Sequence, residues 1–218
     1  MKYFIVYALI LIAFSSCQRS AEDYYQSGFK KMQIKPDLNA KDTVRAYKAM
    51  MENLKSARAD FDKAIELNPK YMDAYKLRAS VESEMEDHNA SIKDWQAMIK
   101  LKPKYYFAYF QVGEEKYELA DYEGAIKEYS KVIALDPNNA DYYDARGHVQ
   151  ARLRNYDQAL KDYNIAISLN PGDKYFFLNR GKLKIDMNDK AGACEDLKKA
   201  VQLGDTTFAP ELIKENCN

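Results

Sequence analysis

The chain has 218 residues, with 33 Lys and Arg against 33 Asp and Glu, 47% apolar residues and 13% aromatic ones. A net charge of zero argues against a polyanion-binding surface, which excludes nucleic acid as the expected partner. Only 8 Gly and 6 Pro, against a background rich in Lys, Glu, Ala, Leu and Ile, exclude a many-stranded sheet and favour long helices, while 18 tyrosines call for a repeated structural demand or a binding surface.

The first segment, MKYFIVYALILIAFSSC, carries one charge at Lys2 and then 12 uninterrupted apolar residues from Tyr3 to Phe14. As a helix these would cover about 18 Å, too short for a hydrocarbon core of about 30 Å. Residues 1–16 therefore read as an export signal. With Ser15 and Ser16 placed directly before Cys17, the segment resembles a bacterial lipoprotein signal, although Phe14 stands where such signals usually carry leucine. The resemblance implies cleavage before Cys17 and a lipid on its thiol, with residues 17–20 as tether. The alternative is ordinary cleavage after Ser15, using Ala13 and Ser15 as the small-residue pair. Loss of residues 1–16 removes only Lys2 and leaves 32 Lys and Arg against 33 Asp and Glu, a net charge of −1, so the argument against a polyanion-binding surface stands.

From here the sequence repeats. Pro69, Pro103, Pro137 and Pro171 lie 34 residues apart and end the phrases AIELNP, MIKLKP, VIALDP and AISLNP, with AVQLGD one period later. A period of 34 marks stacked helical hairpins. In this register an aromatic recurs at Tyr75, Tyr109, Tyr143 and Phe177, followed by a small residue at Ala79, Gly113, Gly147 and Gly181. A second small column runs Ala57, Ser91, Ala125, Ala159, Ala193, and four places later stand Phe61, Trp95, Tyr129, Tyr163, Leu197. A small residue lets two helix axes approach and a large one fills the space beside it. DYEGAIKEYSKVIALDP and NYDQALKDYNIAISLNP above all resemble the tetratricopeptide repeat, and the resemblance covers about residues 52–205. It implies an all-α, right-handed superhelical solenoid of antiparallel helix pairs. The expected organisation is an irregular first repeat over 21–69 with an inserted loop near 33–42, repeats at 70–103, 104–137, 138–171 and 172–205, and a capping helix over 206–218. In the first repeat AEDYYQSGFKKM supplies the first helix, because Tyr24 and Gly28 keep the aromatic-to-small spacing of four.

Two cysteines remain after Cys17. In an oxidising compartment Cys194 and Cys217 suit a bridge that clips the cap down; the alternative is a pair of buried free thiols.

No enzyme class finds its residues. GxSxG, HExxH and paired phosphate-loop glycines are absent, and Gly181-Lys182 lacks the rest of a phosphate loop. His88 and His148 have no cysteine near them in the repeat layout, and Glu82, Glu84, Glu86 and Asp87 read as a solvated charge run. A non-enzymatic protein is expected, with no cofactor, no metal and no small-molecule substrate. The resemblance implies a concave groove lined by the first helices, which here would present Asp73, Lys76, Ser80 and Ser83, then Phe107, Phe110, Glu114 and Tyr117, then Asp141, Asp144, His148 and Arg152, then Tyr175, Leu178, Lys182 and Ile185. Phe107, Phe110, Tyr117 and Tyr175 would form an apolar floor for an extended peptide or a partner helix; packing of the same rings against neighbouring helices is the alternative. Relatives that clamp the C-terminal carboxylate of cytosolic chaperones use lysine, asparagine and arginine in the groove. Lys76 matches one of these, but Ser80, Gln111, Asp141 and Ala145 replace the others, so that clamp is not expected.

The two resemblances together imply a protein of the bacterial cell envelope, held in the membrane by the lipid on Cys17 and binding protein or peptide partners. Gln18 after the cysteine resembles signals sent on to the outer membrane, which places the protein there, facing the periplasm. The family includes small envelope lipoproteins that assist assembly of pilus secretins or outer-membrane barrels. A structural subunit of a larger envelope complex is the second expectation, and an accessory envelope enzyme, without a catalytic motif, the third.

Overall fold

The computed structural model describes residues 19–34 and 43–217. The export signal, Cys17, and most of the expected loop with Pro36 lie outside the described residues. Among the described residues there are eleven α-helices and no strand. They fall into two compact units that meet in sequence at Leu101 and Lys102.

In the first unit α1 (Ala21–Met32), α2 (Thr43–Leu67), α3 (Met72–Glu84) and α4 (His88–Leu101) pack in order, α1 on α2, α2 on α3, α3 on α4. Ser20 starts α1 with a reciprocal cap: its Oγ accepts from the Asp23 N–H at 3.1 Å while the Asp23 carboxylate accepts from the Ser20 N–H at 2.8 Å. α2 is a single helix of 25 residues that runs through the TVRAYKAMMENL stretch. Gly28 of α1 faces Phe61 of α2; a Cβ on it would meet the ring at 2.8 Å. This is the close approach on which the repeat columns depend. Leu54, Ala57, Phe61 and Val81 form the core there.

The second unit contains α5 (Tyr106–Glu118), α6 (Tyr122–Leu135), α7 (Ala140–Arg152), α8 (Tyr156–Leu169), α9 (Lys174–Asp186), α10 (Lys190–Gln202) and α11 (Phe208–Asn216). Again neighbours in sequence pack on one another. Gly113 faces Tyr129, Gly147 faces Tyr163 and Gly181 faces Leu197, so the first small column meets the large column within each hairpin. The second small column, Ala57 to Ala193, is fully buried throughout. Tyr109 and Tyr143 donate their hydroxyls to the carbonyls of Pro103 and Pro137, at 3.2 and 3.1 Å. Those aromatics therefore latch the turn that precedes their own helix.

The turn inside each hairpin also repeats. Glu86, Ala120, Arg154 and Asn188, 34 apart, adopt the left-handed conformation with φ between 56° and 62°. The next N–H, from Asp87, Asp121, Asn155 and Asp189, donates back to the carbonyl of Glu82, Lys116, Gln150 and Lys184 at 2.8–2.9 Å. This closes the orphan carbonyls of the first helix. Asp121 and Asp189 then cap the second helix by accepting from the Gly124 and Gly192 N–H groups at 3.0 Å.

Buried ion pairs recur at the same period. Arg146 donates to Asp162 at 2.9 and 2.7 Å and to the Ser130 hydroxyl at 3.0 Å, linking α7 to α8 and α6. Arg180 does the same with Asp196 and Asn164, as does Arg78 with Asp94 and Asp62 in the first unit. The repeat of α5 and α6 holds Val112 and Glu128 at these positions, and there Glu128 pairs with Lys131 instead.

The array ends on α11, which packs on α10 and α9. Asp205 starts it: one carboxylate oxygen accepts from the N–H groups of Thr207, Phe208 and Ala209 at 2.9–3.1 Å. Burial opposes the charge on Asp205, but these three donors hold its pKa below the usual carboxylate range. Ala209 and Leu212 cover Leu197, Ala200 and Phe177, and a disulfide joins Cys194 of α10 to Cys217 after α11.

Candidate functional site

The second unit carries a cavity of about 410 Å³ on the face formed by its first helices. Helical spacing puts Phe110, Glu114, Tyr117 and Glu118 on one side of α5, and Asp141, Asp144 and His148 on the facing side of α7. α9 closes the site with Asn179. The walls are aromatic: the Phe110 ring lies 5.7 Å from Tyr129 and 5.3 Å from Tyr142, and Tyr117 lies 5.4 Å from His148.

The polar groups are carboxylates held in place by neutral donors. Tyr129 donates its hydroxyl to Glu114 at 2.5 Å. The Asn179 amide, reaching across from α9, donates to both oxygens of Asp144 at 3.0 and 3.2 Å. Burial pushes the Asp144 carboxyl up to about 6, the Asn179 bonds working against it and the Asp141 and Asp173 charges with it. Burial likewise raises Glu114, with Glu118 and Glu115 adding to it and the Tyr129 bond opposing. His148 is shifted the other way: desolvation, then Arg152 and Lys182, disfavour its charged form, so it offers no cation to the carboxylates at neutral pH. Among the described residues no Lys or Arg forms an ion pair with Glu114, Glu118, Asp141 or Asp144.

A second cavity of about 220 Å³ shares His148 and Asn179 with the first and adds Arg152, Lys182 and Asp186. Arg152 donates from Nε to the Tyr117 hydroxyl at 3.3 Å, and the Lys182 ammonium lies over the Phe208 ring at 5.3 Å.

Of the groove residues expected from the sequence, Phe110, Glu114, Tyr117, Asp141, Asp144, His148, Arg152 and Lys182 line one or both cavities. Phe107 and Tyr175 line neither; both are exposed, Phe107 beside Tyr105 and Tyr175 under the Lys174 ammonium. Leu178 is not a groove residue: it is 3% exposed and packs in the core that α11 covers, with Ile185 against it. Lys76 lies on α3 of the first unit. Sequence reasoning missed Glu118, Tyr129 and Asn179. The repeat register places Tyr129 in the packing column, and the same residue also lines the cavity and donates its hydroxyl to Glu114. Asn179 lies next to the buried Leu178, where a helical count alone gives no reason to choose it.

No group of three or more His, Cys, Asp or Glu among the described residues is arranged to hold a metal ion, and no described helix is long and apolar enough to cross a membrane.

Family profiles described as a TPR repeat and as the tetratricopeptide repeat match residues 113–153, 140–173 and 48–71. No curated protein matches the chain. Among solved structures, MamA is similar with a TM-score of 0.67 at 18% identity, over 89% of this chain and 94% of that one. YrrB, described as a TPR protein with an unusual peptide-binding site, is similar with a TM-score of 0.63 at 19% identity, over 90% and 100%. PilF of Pseudomonas aeruginosa gives 0.64 at 17% identity, over 86% and 78%. At these identities the likeness is one of fold.

Proposed function

This chain is a tetratricopeptide-repeat protein, and on that premise we propose that it is a non-enzymatic scaffold that holds a peptide segment or helix of a partner protein against α5, α7 and α9. The observation that carries this reading is the aromatic-walled cavity, whose carboxylates are positioned by Tyr129 and Asn179 yet form no ion pair with a Lys or Arg among the described residues. Buried aromatics beside oriented polar groups are what a recognition surface needs, since the rings supply binding area at low entropic cost and the polar groups supply selectivity. YrrB, similar in fold, is described as binding peptide.

A lipid on Cys17 holds the scaffold to an envelope membrane, with the outer membrane as destination, and its role there is to assist assembly of an envelope complex. Processing that attaches more than one acyl chain gives firm anchoring. The motif around Cys17 supports this part, and incorporation of labelled palmitate, lost in Cys17→Ser, tests it.

Cross-linked pull-down from membranes tests the scaffold role. Several sub-stoichiometric partners, lost on Phe110→Ala with Tyr117→Ala, agree with an assembly factor. One partner at fixed ratio favours a structural subunit, and unchanged capture by the double variant moves the site away from α5.

A further inference from the structure

We infer that the cavity between α5 and α7 selects a basic side chain, a lysine or arginine presented by the partner segment. This deepens the reading of the groove as a partner-binding surface and rests on it.

Charge complementarity singles out the occupant. Four carboxylates converge on one cavity: Glu114 and Glu118 from α5, Asp141 and Asp144 from α7. Burial first, and then a neighbouring cavity carboxylate, Asp141 for Asp144 and Glu118 for Glu114, disfavours the charged form of the two inner acids. Elsewhere in the unit two buried acids are met by the chain's own cations, Asp162 by Arg146 and Asp196 by Arg180 and Lys184. Among the described residues, Glu114 and Asp144 are met in the cavity by neutral donors, Tyr129 and Asn179, which fix the carboxylates and leave lone pairs for a further donor. An incoming ammonium or guanidinium would take the role that Arg146 and Arg180 play in the core.

The walls suit the rest of that side chain. Phe110 and Tyr117 line the cavity, and aromatic rings there favour both the methylene stem of a lysine or arginine and its charge. The cavity volume lies within the range of small-ligand sites, ample for one such side chain together with adjoining peptide backbone. An acidic partner residue would meet four like charges and a neutral histidine, and an apolar one would leave the carboxylates desolvated without a partner.

The test is a displayed library of random twelve-residue peptides, selected in parallel on the full chain, on Glu114→Gln with Asp144→Asn, and on Phe110→Ala with Tyr117→Ala. Both acid replacements keep an acceptor for Tyr129 and Asn179, and thermal melts check that each variant folds. Peptides selected on the unaltered chain are expected to be enriched in lysine or arginine at one position. Changing that residue to norleucine should weaken binding about tenfold, or about 1.4 kcal/mol, and should change nothing on the acid-replaced variant. Selected peptides without basic enrichment that still need Phe110 and Tyr117 would overturn the charge selection and leave the groove reading standing. Peptides that bind all three proteins equally, or no selectable peptide, would overturn both. Should the acid-replaced variant not fold, the norleucine exchange on the unaltered chain decides alone.

Discussion

Replacing Gly113 by alanine would put a Cβ 2.5 Å from Cε1, 2.8 Å from Cδ1 and 3.0 Å from Cζ of Tyr129. That is about 1 Å inside the carbon–carbon optimum of roughly 3.5–4.0 Å. Tyr129 is 1% exposed and its hydroxyl is bound to Glu114, so the ring cannot retreat without losing that bond. Overpacking of this kind costs about 1–3 kcal/mol, and leaving glycine inside a helix returns about 1 kcal/mol. A contact as short as 2.5 Å puts the cost in the upper part of that range, about 2–3 kcal/mol, so the expected net loss is about 1–2 kcal/mol. Gly181→Ala is the internal control: its Cβ would meet Leu197 Cδ2 and Cγ at 3.1 Å, and an aliphatic side chain can shift by the few tenths of an ångström required. There the two effects nearly cancel, to within about 0.5 kcal/mol. Thermal and urea unfolding, followed by far-UV circular dichroism, should place Gly113→Ala below Gly181→Ala by about 3–6 °C in Tm. If Gly113→Ala melts with or above the unaltered chain, the close approach of α5 to Tyr129 does not set the spacing of this hairpin.

Ala120→Gly should stabilise the chain by about 0.5–1 kcal/mol, because φ of 56° strains an alanine and not a glycine, a gain only partly offset by the entropy of the unfolded chain; an unchanged or lowered melting point refutes it. Glu82 is buried, and burial, then the Asp94 charge, push its carboxyl up to about 7. Its folded pKa exceeds its unfolded one, so its contribution to stability is fully present below about 4.5 and declines as pH rises toward 7. Glu82→Gln should therefore gain on the unaltered chain by about 1–2 kcal/mol between pH 5 and pH 8, read from melts at both; a pH-independent difference counts against it. Reduction of the bridge between Cys194 and Cys217, which closes 23 residues, should cost about 3 kcal/mol and loosen α11 first. Alkylation of both thiols without reductant, or identical melts with and without it, would contradict this.

The period of 34, the helices it predicts and the columns that pack them were legible in the sequence, because each depends on local rules. A residue's place on a helix face follows from 3.6 residues per turn, and prolines and acidic caps act within a few residues of where they stand. The Arg146 and Arg180 braces obey the same period and were legible too, had charged columns been read beside apolar ones. The resemblance to the tetratricopeptide repeat also implied that Glu114, Asp144 and His148 face the groove, and all three line the cavity. Only the tertiary structure decided which groove positions converge. Leu178 and Asn179 are neighbours in sequence, yet α11 buries the first while the second reaches Asp144 35 residues away. It also decided that the nearest cations of α7 and α9 leave the cavity carboxylates unpaired, since Arg152 turns to Tyr117 and Lys182 to Phe208. Which partner a side chain finds, and how much water it loses in finding it, depends on elements far apart in sequence, and a residue count carries no such information.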